Sequence, residues 1–107
     1  MPDDTDATHT TNRAEVIRLL SAHRQELAEQ FGLRSLALFG SVARDEAGPE
    51  SDVDVLVEFY ETPGLQEYMS LKFWLEDHLG RRVDLVMKGA LKSWARPIVE
   101  AEAIRVA

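Results

Sequence analysis

The sequence predicts a small α/β domain in which helices flank a mixed sheet of three to four strands. Three observations lead there. Short apolar or β-branched runs recur at residues 35–39, 52–60 and 82–87 and read as strands. Stretches of helical apolar spacing precede the first run and separate the last two. A short polar connection joins the first strand to the second, which suits antiparallel neighbours. A helix joins the second to the third, which implies a right-handed parallel crossover.

Taken in order, residues 1–11 are rich in Asp and Thr, lack periodicity and read as a flexible N-terminal tail, leaving 12–107 as a single domain. Asn12 and Glu15 have the spacing of a capping box and open a helix. Ile17, Leu20, Leu27 and Phe31 would face the core, and Gly32 is placed as the stop. After the 35–39 strand, Gly40-Ser41 begins a short helix with Ser41 at the cap, and a polar loop containing Gly48-Pro49 follows. Thr62-Pro63 reads as a cap with Pro at the first helical position. That helix runs through Leu65, Met69, Leu75 and Leu79 to Gly80. Residues 89–94 read as a helical turn, Pro97 starts another helix, and 104–106 read as a last short strand.

The chain has 107 residues, the length of one domain, and 45% hydrophobic and 29% charged residues, which argue against wholesale disorder. No apolar run approaches the roughly 20 residues of a membrane helix, and the acidic N-terminus does not read as a signal peptide. The absence of cysteine excludes disulfides, zinc ribbons and thiol nucleophiles. A cytoplasmic protein without membrane attachment is expected. The net charge of −7 argues against direct nucleic-acid binding. Arg81, Arg82, Lys88, Lys92 and Arg96 cluster in sequence and read either as a solvated basic face or as a surface for phosphates or an acidic partner.

The segment that carries chemistry is Gly40-Ser41, ten residues, then Asp52-Val53-Asp54. Alternation along a strand puts Asp52 and Asp54 on one side and Val53, Val55 and Val57 on the other, toward a core. Two carboxylates side by side repel, and a divalent cation removes that repulsion; Mg²⁺ favours one or two carboxylates with waters and substrate phosphates. On its own, Asp-x-Asp also fits a solvated strand end. Gly40 lets backbone approach a ligand closely, and Ser41 at a helix start reads as part of a phosphate cradle or as a plain cap. The strand directions bring a third carboxylate, Asp84, to the same sheet edge as Asp52 and Asp54. Three carboxylates beside a phosphate cradle are the parts for two metal ions.

Leu38-Phe39-Gly40-Ser41-Val42-Ala43-Arg44, then Ser51-Asp52-Val53-Asp54-Val55-Leu56-Val57, with a later strand carboxylate at Asp84, resembles the minimal nucleotidyltransferase branch of the DNA polymerase β-type superfamily. The likeness runs from about Asn12 onward and implies a polymerase β-like fold. It departs at Asp45, where the family often has Gly, and adds a negative charge near the turn. The resemblance implies that Asp52, Asp54 and Asp84 are the catalytic and metal-binding carboxylates for Mg²⁺, with Asp84 also helping to deprotonate the attacking hydroxyl. It implies that Gly40, Ser41 and Arg44 hold the nucleotide phosphates; Arg44 also reads as a surface ion pair with Asp45 or Glu46. Minimal members are similar to antitoxins that transfer AMP from ATP to a tyrosine of a HEPN-type RNase toxin.

Two further functions stay open on the sequence. One is an antitoxin that neutralises its partner by stoichiometric binding. The other is transfer to a small molecule such as an aminoglycoside, which usually goes with an additional helical domain. His9, His23 and His78 lack metal-ligand spacing with one another, and Trp74 and Trp94 read as core or interface anchors. Glu58 shares the face of the two aspartates but lies farther along, and reads as non-catalytic.

Overall fold

The computed structural model describes residues 12–48 and 51–107. The expected tail, with His9 in it, lies outside the described residues. The elements run α1 (Arg13–Ala22), α2 (Arg24–Phe31), β1 (Leu33–Phe39), a single turn α3 (Gly40–Ala43), β2 (Val53–Phe59), α4 (Leu65–Leu79) and β3 (Val83–Met87). A 3-10 turn at Lys88–Ala90, α5 (Arg96–Glu102) and β4 (Ile104–Arg105) complete the chain. No helix among the described residues is long and apolar enough to cross a membrane.

The four strands form one sheet in the order β3-β2-β1-β4. β2 runs antiparallel to β1 and parallel to β3, as the connection lengths predict, and β4 pairs antiparallel with β1. Register gives the sheet two unlike faces. Leu36 opposes Val57 and Leu38 opposes Val55, while Val53 and Val55 meet Val83 and Leu85 across the parallel pair. These side chains are buried and pack with Val16, Leu20, Leu27, Leu71, Leu75 and Leu79 from the helices. Fully burying each such side chain is worth roughly 1.5–3 kcal/mol. The alternate positions, including Asp54 and Asp84, point to the other face.

Three local expectations change. The helix expected over 12–31 is interrupted at His23, whose N–H bonds the Leu20 carbonyl at 3.2 Å and whose carbonyl then receives Leu27 N–H at 2.9 Å. The Asn12 cap stands, its side chain accepting Glu15 N–H at 2.9 Å, and Gly32 ends α2 in the left-handed conformation. Val16 joins Leu20 in the core, with Ile17 and Phe31 only partly buried. α4 starts at Leu65 rather than Pro63, because Gly64 is extended and serves as the cap. Leu65 is 78% exposed, and Leu71, Leu75 and Leu79 form the buried stripe. Third, α3 begins at Gly40 with extended Phe39 as its cap, so Ser41 lies inside the turn instead of capping it.

Candidate active site

The sheet register assembles the site. Phe39, the last residue of β1, opposes Asp54, and Asp54 sits beside Asp84 in the parallel pair. The chain must leave β1 directly over the Asp54 side chain. Gly40 does so with φ +73°, a conformation that costs L side chains roughly 1–2 kcal/mol. A Cβ at Gly40 would stand 2.0 Å from Asp54 Oδ2 and 2.9 Å from its Cγ. Only glycine admits this approach, which explains the residue type at 40 in steric terms.

The three aspartates occupy unlike surroundings. Asp52 is exposed at the mouth of β2 and its Oδ1 lies 3.3 Å from Arg82 Nε. Asp84 is exposed on β3. Asp54 is half-buried between them, and its carboxyl is pushed up to about 6, first by burial and then by the charges of Asp84 and Asp52. The Arg44 guanidinium opposes that rise and Glu102 adds to it. Tyr68 on α4 donates its hydroxyl to the Leu85 carbonyl; burial, then Asp84, raises its pKa. Among the described residues, no group of three His, Asp or Glu side chains is arranged so that it could hold a metal ion. The donor chemistry nonetheless fits a hard divalent cation: oxygen ligands only, and a central carboxylate whose ionised form is disfavoured by burial and by Asp84 and Asp52 more than Arg44 offsets. Mg²⁺ completes such open sites with waters and substrate phosphates.

The Gly40 turn also holds a residue that sequence reasoning missed. Glu102, at the end of α5, accepts the Gly40 N–H at 2.8 Å through Oε1. Its Oε1 and Oε2 also receive Arg44 Nη1, at 3.3 and 3.1 Å. Arg44 Nε pairs with Glu46 at 3.0 Å. The surface-pair alternative for Arg44 is thus present with Glu46, while Asp45 turns elsewhere: its Oδ1 accepts Arg13 N–H at 3.4 Å. Asp45 has φ +61°, so the position where the family often has glycine is a left-handed one.

The basic run does not form one face. Arg81 is 7% exposed and its Nη2 donates to the carbonyls of Gly48 (3.0 Å) and Ser51, holding the loop that feeds Asp52. Arg82 pairs with Asp52, and Lys88 and Arg96 both meet Glu100, at 3.5 and 3.9 Å. Glu76 on α4 is a second missed support: its Oε2 accepts the N–H of Val83, next to Asp84, at 3.0 Å. Glu58 accepts from Ser35 at 3.5 Å, farther along the face. His23 and His78 pack around Trp74, whose ring stacks on His78 with centroids 3.6 Å apart. Trp94 is 71% exposed.

A mixed β-sheet with a glycine turn packed on the central of three carboxylates defines a polymerase β-like nucleotidyltransferase domain. The model of the nucleotidyltransferase-domain family matches residues 20–106, and the chain belongs to that family. Protein adenylyltransferase MntA of Thermococcus cleftensis is 48% identical over 92 residues, which are 86% of this chain and 93% of that protein. A solved candidate minimal nucleotidyltransferase matches with TM-score 0.75 and 39% identity, over 87% of this chain and 94% of its own. A chain from the complex of tri-AMPylated Shewanella oneidensis HEPN toxin with MNT antitoxin matches with TM-score 0.63. At 20% identity over 85% of this chain and 71% of that one, the last likeness concerns the fold.

Proposed function

We propose that this chain is a Mg²⁺-dependent protein adenylyltransferase that moves AMP from ATP to a tyrosine hydroxyl of a HEPN-type toxin, and so acts as an antitoxin. The observation that carries the reading is the packing of the Gly40 turn on Asp54, with Asp84 next in register and Arg44 beside the turn. The kinship with protein adenylyltransferase MntA and the fold shared with a chain of a HEPN–MNT complex support the choice of acceptor.

In this reading Gly40, Ser41 and Arg44 hold the β- and γ-phosphates. Asp52, Asp54 and Asp84 would bind Mg²⁺, which supplies charge stabilisation to the attacking and leaving oxygens when present. The acceptor oxygen forms a bond to the α-phosphorus, the bond from that phosphorus to the bridging oxygen breaks, and pyrophosphate leaves. The acceptor's proton passes to a carboxylate oxygen of Asp84, which is exposed and open to an incoming hydroxyl. The chain's contribution is positioning and charge neutralisation.

The test is incubation with labelled ATP and Mg²⁺, with and without a HEPN-type partner, read by intact mass. AMP adducts on the partner that vanish with Asp52→Ala support the reading. A second reading, neutralisation by stoichiometric docking, is favoured by the exposed Trp94 and Ile98 near the start of α5 (71% and 61%). A tight complex without adducts, still neutralised by Asp52→Ala, would establish docking and overturn transfer.

A further inference from the structure

Glu102 occupies the donors that the proposed nucleotide needs. Gly40 N–H gives its hydrogen to Glu102 Oε1, and the guanidinium of Arg44 spans both Glu102 oxygens. A phosphate seeks the same partners: a backbone N–H aimed outward and a charged guanidinium. One N–H cannot serve two anions in line, and a carboxylate beside a triphosphate adds repulsion. Glu102 therefore stands where a phosphate oxygen would stand.

The element that carries Glu102 is lightly held. α5 has seven residues and buries none of them fully. Behind it the chain is fastened by β4, which opposes Ala37 and Leu38 of β1. Swinging the end of α5 away from Gly40 would expose no fully buried residue of α5, so the cost falls on the Glu102 contacts, on the ties of Glu100 and Arg96 to Lys88, and on the short link to β4.

We propose that Glu102 is an intramolecular stand-in for the nucleotide phosphates, a gate that closes the Gly40–Arg44 cradle until ATP displaces it. The inference rests on the nucleotidyltransferase reading of the cradle and adds its regulation: apparent nucleotide affinity is set by competition between Glu102 and the triphosphate. A closed state populated at nine parts in ten weakens apparent affinity about tenfold, because only the open fraction binds. A residue that merely anchors α5 would behave in the opposite way, since its loss would loosen the cradle.

The experiment measures binding of inorganic tripolyphosphate and of ATP, each with Mg²⁺, by calorimetry, on the full chain and on Glu102→Gln and Glu102→Ala. The glutamine keeps an oxygen for Gly40 N–H and removes the charge; the alanine removes both. Amide hydrogen exchange at Gly40 gives a readout that needs no nucleotide. The gate predicts about tenfold tighter binding of both probes by Glu102→Gln, and faster Gly40 exchange in unliganded Glu102→Ala that slows again when tripolyphosphate binds. Equal or weaker binding by both variants, with the natural chain binding well, overturns the gate and leaves the nucleotide reading standing. Failure of all three chains to bind either probe overturns the nucleotide reading, and the gate with it.

Discussion

Gly40 and Asp54 touch so closely that a single added carbon would collide: the ideal Cβ of residue 40 falls 2.0 Å from Asp54 Oδ2. The backbone there is left-handed as well, at φ +73°. Gly40→Ala therefore faces two costs, a strained dihedral and a displaced carboxylate. We expect a loss of about 2–3 kcal/mol, seen as a clear drop in Tm, from strain and overpacking together. AMP transfer should fall at least a hundredfold, because the carboxylate that must yield is the central one. A natural Tm with natural activity in Gly40→Ala would show that the turn does not press on Asp54.

The same carboxylate should leave a pH signature on stability. Burial, then Asp84 and Asp52, push Asp54 from its ordinary 3.8 up to about 6. A raised folded pKa means that the folded chain holds the proton more tightly than the unfolded chain. The resulting stabilisation is complete below the unfolded value and is lost as pH rises from about 4 through about 6. Since Asp54 is still partly open to water, solvent screening reduces the effect to about 1 kcal/mol. In chelator, Asp54→Asn should match the natural chain at pH 4 and exceed it by about 1 kcal/mol at pH 7.5. Added Mg²⁺ should narrow that gap by stabilising the natural chain alone. Thermal unfolding across pH 4–8 checks both statements, and a constant difference across that range would refute the first.

The legible parts of the site were those fixed by periodicity and connection length. Val53, Val55 and Val57 had to face the core, so Asp52 and Asp54 had to face away, and all three valines are buried. A short link and a helical crossover were enough to set strand directions, and these align Asp54 with Asp84. Glu102 was invisible because it meets Gly40 across 62 positions, from a helix whose sequence records no partner. Arg81 and Arg82 are the same residue type side by side, yet one is buried and the other exposed; only the path of the chain after Gly80 separates them. The break at His23 carries no Gly or Pro, so apolar spacing runs through it unmarked.

Arg81 should matter for stability and for transfer together. Its Nη2 serves the carbonyls of Gly48 and Ser51, one residue before Asp52. Arg81→Met keeps the apolar stem and removes the donors, leaving two carbonyls with less support. Hydrogen bonds to a charged group contribute roughly 1.5–3 kcal/mol, so we expect a loss of about 2 kcal/mol in denaturant unfolding. Arg81→Lys should recover less than half, because a compact ammonium does not reproduce the guanidinium fork. Transfer should fall about tenfold through misplacement of Asp52. Full rescue by lysine would mean that charge alone, not the fork, holds the loop.

Asp45 separates backbone strain from electrostatics. Its φ of +61° favours glycine, which removes the cost of a Cβ, but the aspartate returns some of that by accepting Arg13 N–H at the start of α1. Carboxylates at a helix start are worth roughly 0.3–1 kcal/mol, and this contact is long and exposed, so the low end applies. Asp45→Gly should therefore change stability by no more than about 0.5 kcal/mol, whereas Asp45→Ala loses both the contact and the tolerance that an Asp side chain has for the left-handed region, and should cost about 1 kcal/mol. Because the side chain is directed toward α1 and not toward Gly40, Asp45→Gly should shift ATP affinity by less than about threefold, equivalent to less than about 0.7 kcal/mol. A gain of tenfold or more would place the Asp45 charge inside the phosphate field after all. It would then make this departure from the family pattern a brake on nucleotide binding, separate from Glu102.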